Sequence, residues 1–106
     1  MSYRYMRMIV FFDLPTETLL NRREYARFRK FLIKNGFFMM QKSVYCKLAL
    51  NQTAINTMLD IIRKNKPPEG IVQALVITEK QYSHMEYIVG SYEGDIINSD
   101  ERFVEL

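Results

Sequence analysis

At 106 residues, with a formal net charge of +3, one cysteine (Cys46) and one histidine (His84), the chain suits a single domain with one core. Those counts exclude a disulfide framework and a zinc site of Cys and His ligands within one chain, so any metal is expected to be a hard cation held by oxygen. No apolar run approaches the roughly 20 residues that span a bilayer, and Met1 to Tyr5 carries no signal-peptide pattern, so a cytoplasmic protein is the expectation.

The charge divides along the chain. Met1 to Leu50 holds ten Lys or Arg against three acidic residues, a formal +7, whereas Asn51 to Leu106 holds five against nine, a formal −4. Such asymmetry points to an N-terminal half that faces a polyanion and a C-terminal half that faces protein or solvent; the alternative is a scattered, solvated surface.

The β-branched and aromatic run from Tyr5 to Phe12 predicts a buried strand, and Pro15, which cannot donate to a sheet ladder, stops it, so Asp13 stands at a strand terminus. Met6, Met8, Val10 and Phe12 share one face; Tyr5, Arg7, Ile9, Phe11 and Asp13 share the other. Both faces are largely apolar. A chain this short does not cover both sides of its sheet, which suggests a second copy closing one of them.

Thr16-Glu17-Thr18 offers helix-capping residues, and Leu19 to Asn35 reads as a helix ended by Gly36. Helical spacing puts Tyr25, Phe28, Phe31 and Leu32 on its buried side. Arg23, Arg27, Lys30 and Lys34 recur at i, i+4, i+7 and i+11 on the opposite flank, and Arg22 and Arg29 form a narrower second pair. Like charges at that spacing repel, a cost that a solvated face avoids by mixing signs, so the stripe favours phosphate binding.

Phe37 to Leu50 is rich in strand formers and reads either as a tight hairpin about Gln41-Lys42-Ser43 or as one bent strand. Asn51 to Lys66 is an amphipathic helix with Ile55, Met58, Leu59 and Ile62 inward, stopped by Pro67-Pro68-Glu69-Gly70, and Ile71 to Thr78 is the next strand. A helical turn over Glu79 to Met85, a short strand over Glu86 to Val89, an acidic connection from Gly90 to Asp100 and a final strand over Arg102 to Leu106 complete the expectation. The order suits an α+β, ferredoxin-like βαββαβ sandwich over residues 1–106, with an extra C-terminal strand and a homodimer across the uncovered sheet face.

Chemistry centres on Asp13. Two copies meeting near this strand end would supply two oxygen ligands for Mg²⁺, with water at the remaining positions; alternatively Asp13 caps the following turn. Ser43 has no local base, His84 reads as a partly buried imidazole without catalytic duty, and the four glycines form no phosphate-cradling loop.

Phe12-Asp13-Leu14-Pro15 after an apolar strand, Arg22-Arg23 followed by Tyr25, Phe28, Phe31 and Leu32, then Gly36 and Gln41-Lys42-Ser43-Val44-Tyr45, together resemble the CRISPR-associated protein two family. The last stretch and Asn98 to Arg102 look most like members from systems with a single large effector nuclease. The resemblance implies a ferredoxin-like homodimer that takes part in spacer acquisition, bridging two dimers of the integrase, CRISPR-associated protein one, and binding prespacer double-stranded DNA. It also implies a metal-dependent endonuclease on RNA or double-stranded DNA, with Asp13 as the catalytic ligand of magnesium or manganese. Backbone contacts fall to Arg22, Arg23, Arg27, Arg29, Lys30 and Lys34, and integrase contact to the acidic tail. One departure is Phe12, where many members carry Tyr. A toxin-like or regulatory dimer with no integrase is the remaining reading.

Overall fold

Alternation along the first strand builds the molecule. In the computed structural model, which describes residues 5–91, β1 (Met6–Asp13) turns Met8, Val10 and Phe12 into the core and Arg7, Ile9, Phe11 and Asp13 to the other face. It is followed by α1 (Leu19–Lys34), β2 (Phe38–Gln41), β3 (Val44–Ala49), α2 (Gln52–Lys64), β4 (Ile71–Thr78) and α3 (Glu79–Ser83). The sheet is antiparallel throughout, in the order β2-β3-β1-β4. Each long helix therefore carries the chain over an intervening strand, the split βαβ arrangement expected from the sequence. The ambiguous stretch from Phe37 to Leu50 resolves as a hairpin, with a register shift between Met39 and Gln41.

Both helices pack on the face that holds Met8, Val10 and Phe12. Thr18 begins α1 with a reciprocal capping box: its hydroxyl accepts from the Asn21 amide at 3.0 Å, and the Asn21 side chain accepts from the Thr18 amide. Phe28 and Leu32 of α1 and Ile55 and Ile62 of α2 are buried against the sheet, with Tyr25, Phe31, Met58 and Leu59 packed at the margin. Phe12 lies edge-on to Phe28 at 5.3 Å and to Tyr25 at 5.7 Å, and tilted against Tyr45 at 5.6 Å. That aromatic cluster fixes the end of β1.

The opposite sheet face is covered only in part. α3 begins with Thr78 as its cap and lays Glu79 and Tyr82 over Arg7. The Arg7 guanidinium donates to both carboxylate oxygens of Glu79, at 2.7 and 3.1 Å, and sits 4.2 Å from the centre of the Tyr82 ring. Leu48, Ile71 and Leu75, on the same face by register, remain exposed.

Two expectations change. Glu86 to Val89 is not a strand: it pairs with nothing among the described residues, and Ile88 and Val89 are 86% and 90% exposed. Its apolar run satisfies strand propensity, but a strand exists only with a neighbour to take its backbone hydrogen bonds. His84 is exposed at the end of α3, not partly buried. The connection beyond Ser91 and the final strand over Arg102 to Leu106 lie outside the described residues.

Candidate nucleic-acid site at the end of the first strand

Three segments converge on Asp13. The Asp13↔Ile71 pairing ends the β1–β4 ladder, and the turn before β4 presses the Gly70 backbone against it. Gly70 has φ +95°, and a Cβ there would stand 2.7 Å from the Asp13 carbonyl oxygen and 2.8 Å from Leu14 Cδ2. Only glycine meets both conditions, so the Pro67-Pro68-Glu69-Gly70 turn that stops α2 also seats the strand end. On the other side the Phe12 amide donates to the Ser43 carbonyl at 3.1 Å, drawing the β2–β3 turn alongside.

The Asp13 carboxylate is exposed, at the junction of two cavities. One, of about 470 Å³, lies toward α1 and is lined by Asp13, Thr16, Arg22, Tyr25, Lys42 and Ser43, with Leu14. The other, of about 280 Å³, opens on the sheet face beside Phe11, Val44, Ile71 and Gln73. Asp13 and Ser43 belong to both. Arg22 is held over the first cavity by donating to the carbonyls of Thr16 at 3.1 Å and Glu17 at 3.3 Å. The Tyr25 hydroxyl lies 3.2 Å from Ser43 Oγ and 3.3 Å from the Lys42 carbonyl oxygen.

All six cations named on α1 are exposed. Arg23, Arg29, Lys30 and Lys34 have no ion-pair partner among the described residues. Arg27 differs: it bridges to Glu24 at 2.8 Å and donates to the carbonyls of Asn65 and Lys66, at 3.2 and 3.5 Å, past the end of α2. Its charge serves the junction of the two helices. The shifted titrations lie at the far end of β1, where hydrogen bonding to Glu79 raises the Arg7 pKa, the same contact holds the Glu79 carboxyl below its usual range, and burial pushes the Cys46 thiol up.

Magnesium, which the resemblance implies, is held by oxygen ligands, commonly one or two carboxylates with water. Among the described residues no three His, Cys, Asp or Glu side chains come together, and Asp13 is a single carboxylate. The donor is of the hard kind that magnesium prefers, and among the described residues no second carboxylate joins it at either cavity.

Comparison with known proteins decides the family, because residues 6–85, from the start of β1 through α3, match CRISPR associated protein Cas2. The chain belongs to the Cas2 family. A protein named CRISPR-associated endoribonuclease Cas2 from Treponema denticola is 56% identical over 101 residues, covering 95% of this chain and all (100%) of that protein. Proteins of the same name from Streptococcus mutans UA159 and Lacticaseibacillus rhamnosus are each 46% identical over 101 residues, covering 95% of this chain and 93% and 100% of theirs.

Within this Cas2 chain the structure brings Asp13 and Arg22 to one cavity, while Arg23, Arg29, Lys30 and Lys34 stand exposed on α1. Sequence reasoning missed three lining residues. Helical spacing places Tyr25 in the core, which is true of its ring; its hydroxyl bonds to Ser43 and Lys42 of the cavity wall. In the sequence Ser43 has no local base, and Lys42 reads only as part of a turn. The signal that could have found them is the hairpin itself, since a turn between β2 and β3 must lie at the same sheet end as the C-terminus of β1. Among the described residues no helix is long and apolar enough to cross a membrane.

Proposed function

We propose that this chain is a homodimeric, cytoplasmic subunit of the CRISPR adaptation machinery that binds the backbone of double-stranded prespacer DNA and bridges two dimers of the integrase, CRISPR-associated protein one. The observation that carries the binding role is the exposed side of α1, where Arg23, Arg29, Lys30 and Lys34 stand without ion-pair partners among the described residues. Exposed cations without ion-pair partners neutralise phosphates and release counterions. Support for a second copy comes from Leu48, Ile71 and Leu75, exposed on the sheet face that the long helices leave open. The Gln41 to Tyr45 stretch and the tail near Asp100 favour a system with a single large effector nuclease.

Binding to a DNA duplex should be indifferent to sequence and fall with salt by about 0.9 log units per contacted phosphate for each log unit of salt. The paired substitution Arg23→Glu with Lys30→Glu should weaken binding and flatten that slope while the protein stays folded. Unchanged binding would remove the reading.

A second reading, phosphodiester hydrolysis, is favoured by the exposed Asp13 at the junction of two cavities and by the endoribonuclease name its relatives carry. An isologous contact near this strand end would pair two Asp13 carboxylates as ligands for Mg²⁺ or Mn²⁺, a cation that acidifies water and stabilises charge on a phosphodiester. Cleavage of RNA or of DNA duplexes that survives Asp13→Ala in purified protein would assign it to another site.

A further inference from the structure

The cavity between Asp13 and α1 contains more than a metal ligand needs. Its volume, about 470 Å³, lies within the range of small-ligand sites. Its polar lining residues are two cations, Arg22 and Lys42, three hydroxyl residues, Thr16, Tyr25 and Ser43, and one carboxylate at the rim. Such a set matches an anion whose oxygens accept several hydrogen bonds at once.

Each group can act without being rebuilt. One Arg22 nitrogen is already committed to the Thr16 and Glu17 carbonyls, which pins the guanidinium and leaves its other N–H donors available. The Lys42 ammonium has no hydrogen-bond or ion-pair partner among the described residues, while its backbone carbonyl lies 3.3 Å from the Tyr25 hydroxyl. Tyr25 has one proton and two acceptors in reach, the Lys42 carbonyl and Ser43 Oγ. When Tyr25 donates to Ser43, the Ser43 proton is released to donate onward.

We infer that this cavity, built by Arg22, Lys42 and the Tyr25–Ser43 hydroxyl pair, is a subsite for one backbone phosphate of a nucleic-acid strand, seating the adjacent linkage at Asp13. The inference rests on the nucleic-acid reading above and deepens it. The exposed cations of α1 hold charge anywhere along a backbone, whereas this subsite fixes the register of one strand at the carboxylate. It assigns to Lys42 and Ser43 a positioning role that needs no bound metal.

The test uses the full chain with EDTA present, and a single-stranded RNA dodecamer as probe, so that binding is read without cleavage. The dodecamer is compared with versions in which one linkage at a time is a neutral methylphosphonate. One position should weaken binding about tenfold in the wild-type protein, the effect of a charge-assisted hydrogen bond. In Lys42→Ala that position should cost clearly less than in the wild-type protein, because Arg22 and the hydroxyls still reach the phosphate, and the salt slope should drop by about 0.7, the value for one single-strand phosphate. Ser43→Ala should weaken binding with the slope unchanged, because it removes a neutral donor.

A Lys42→Ala protein that keeps the wild-type slope and methylphosphonate profile, while the Arg23→Glu with Lys30→Glu pair loses affinity, overturns the subsite and leaves the backbone-binding reading standing. No binding of the dodecamer or of a DNA duplex by wild-type protein overturns both. A profile that responds to Lys42→Ala in a protein that, with Mg²⁺ or Mn²⁺ supplied in place of EDTA, cleaves nothing supports the subsite and rejects hydrolysis.

Discussion

Gly70→Ala tests whether the turn after α2 holds Asp13 in place. Two costs follow from the structure. At φ +95° an alanine is in a left-handed backbone region that L-residues disfavour by about 1–2 kcal/mol. The new methyl would also stand 2.7 Å from the Asp13 carbonyl oxygen and 3.0 Å from Leu14 Cα, both backbone atoms that cannot rotate away. Relieving that contact moves one backbone segment by several tenths of an ångström, at about 1–3 kcal/mol by the usual cost of overpacking. The sum, about 2–5 kcal/mol, is a large part of a small domain's stability. Urea unfolding followed by circular dichroism, at one fixed protomer concentration because association would contribute, measures it. Gly90→Ala is the control: Gly90 also has positive φ, +89°, but among the described residues nothing lies within 4 Å of its Cβ position, so only the conformational cost applies. Because the displaced atom belongs to Asp13, oligonucleotide binding should fall further in Gly70→Ala than the folded fraction accounts for. Equal, small losses in the two variants would refute the close approach and its role in seating the carboxylate.

Two further outcomes follow from polar groups away from the site. Glu79→Gln leaves the Arg7 guanidinium, only 17% exposed at its side chain, with a weakened partner, and should cost about 1–3 kcal/mol at pH 7. The Glu79 pKa is depressed by Arg7, so this stability is present above the unfolded value near 4.5 and is lost as pH falls through the folded value; the gap between wild type and variant should close in acid urea titrations. Tyr45→Phe should be neutral or stabilising by about 1–2 kcal/mol, since the Tyr45 hydroxyl is buried without a hydrogen-bond partner among the described residues; a clear loss of thermal stability would reveal a partner.

Much of the fold was legible because it is written in period and punctuation. The alternation of Met6 to Asp13 sorted core from open face, Thr18 and Gly36 bracketed α1, and the two prolines before Gly70 marked the end of α2. The candidate site was legible at Asp13, whose position depends on its own strand, and at Arg22, on the helix that follows it. Tyr25, Lys42 and Ser43 reach it through a hairpin that periodicity left open, and a ring assigned to the core can still present its hydroxyl to a cavity. The short strand placed at Glu86 to Val89 fails for a related reason: propensity is local, whereas a ladder needs a second strand that no local signal supplies.

Arg27 shows the same limit in charge. Spacing alone made Arg23, Arg27, Lys30 and Lys34 equal members of one stripe, yet Arg27 bonds Glu24 and the carbonyls of Asn65 and Lys66. Those carbonyls lie just beyond the negative end of the α2 dipole, where a cation is favourable in its own right. Reversing Arg27 would therefore loosen the α1–α2 junction and weaken phosphate binding together, and a loss of binding could not be assigned to either. Arg23 and Lys30, exposed and without partners among the described residues, separate the two effects, so the charge-reversal test of the binding surface belongs on them.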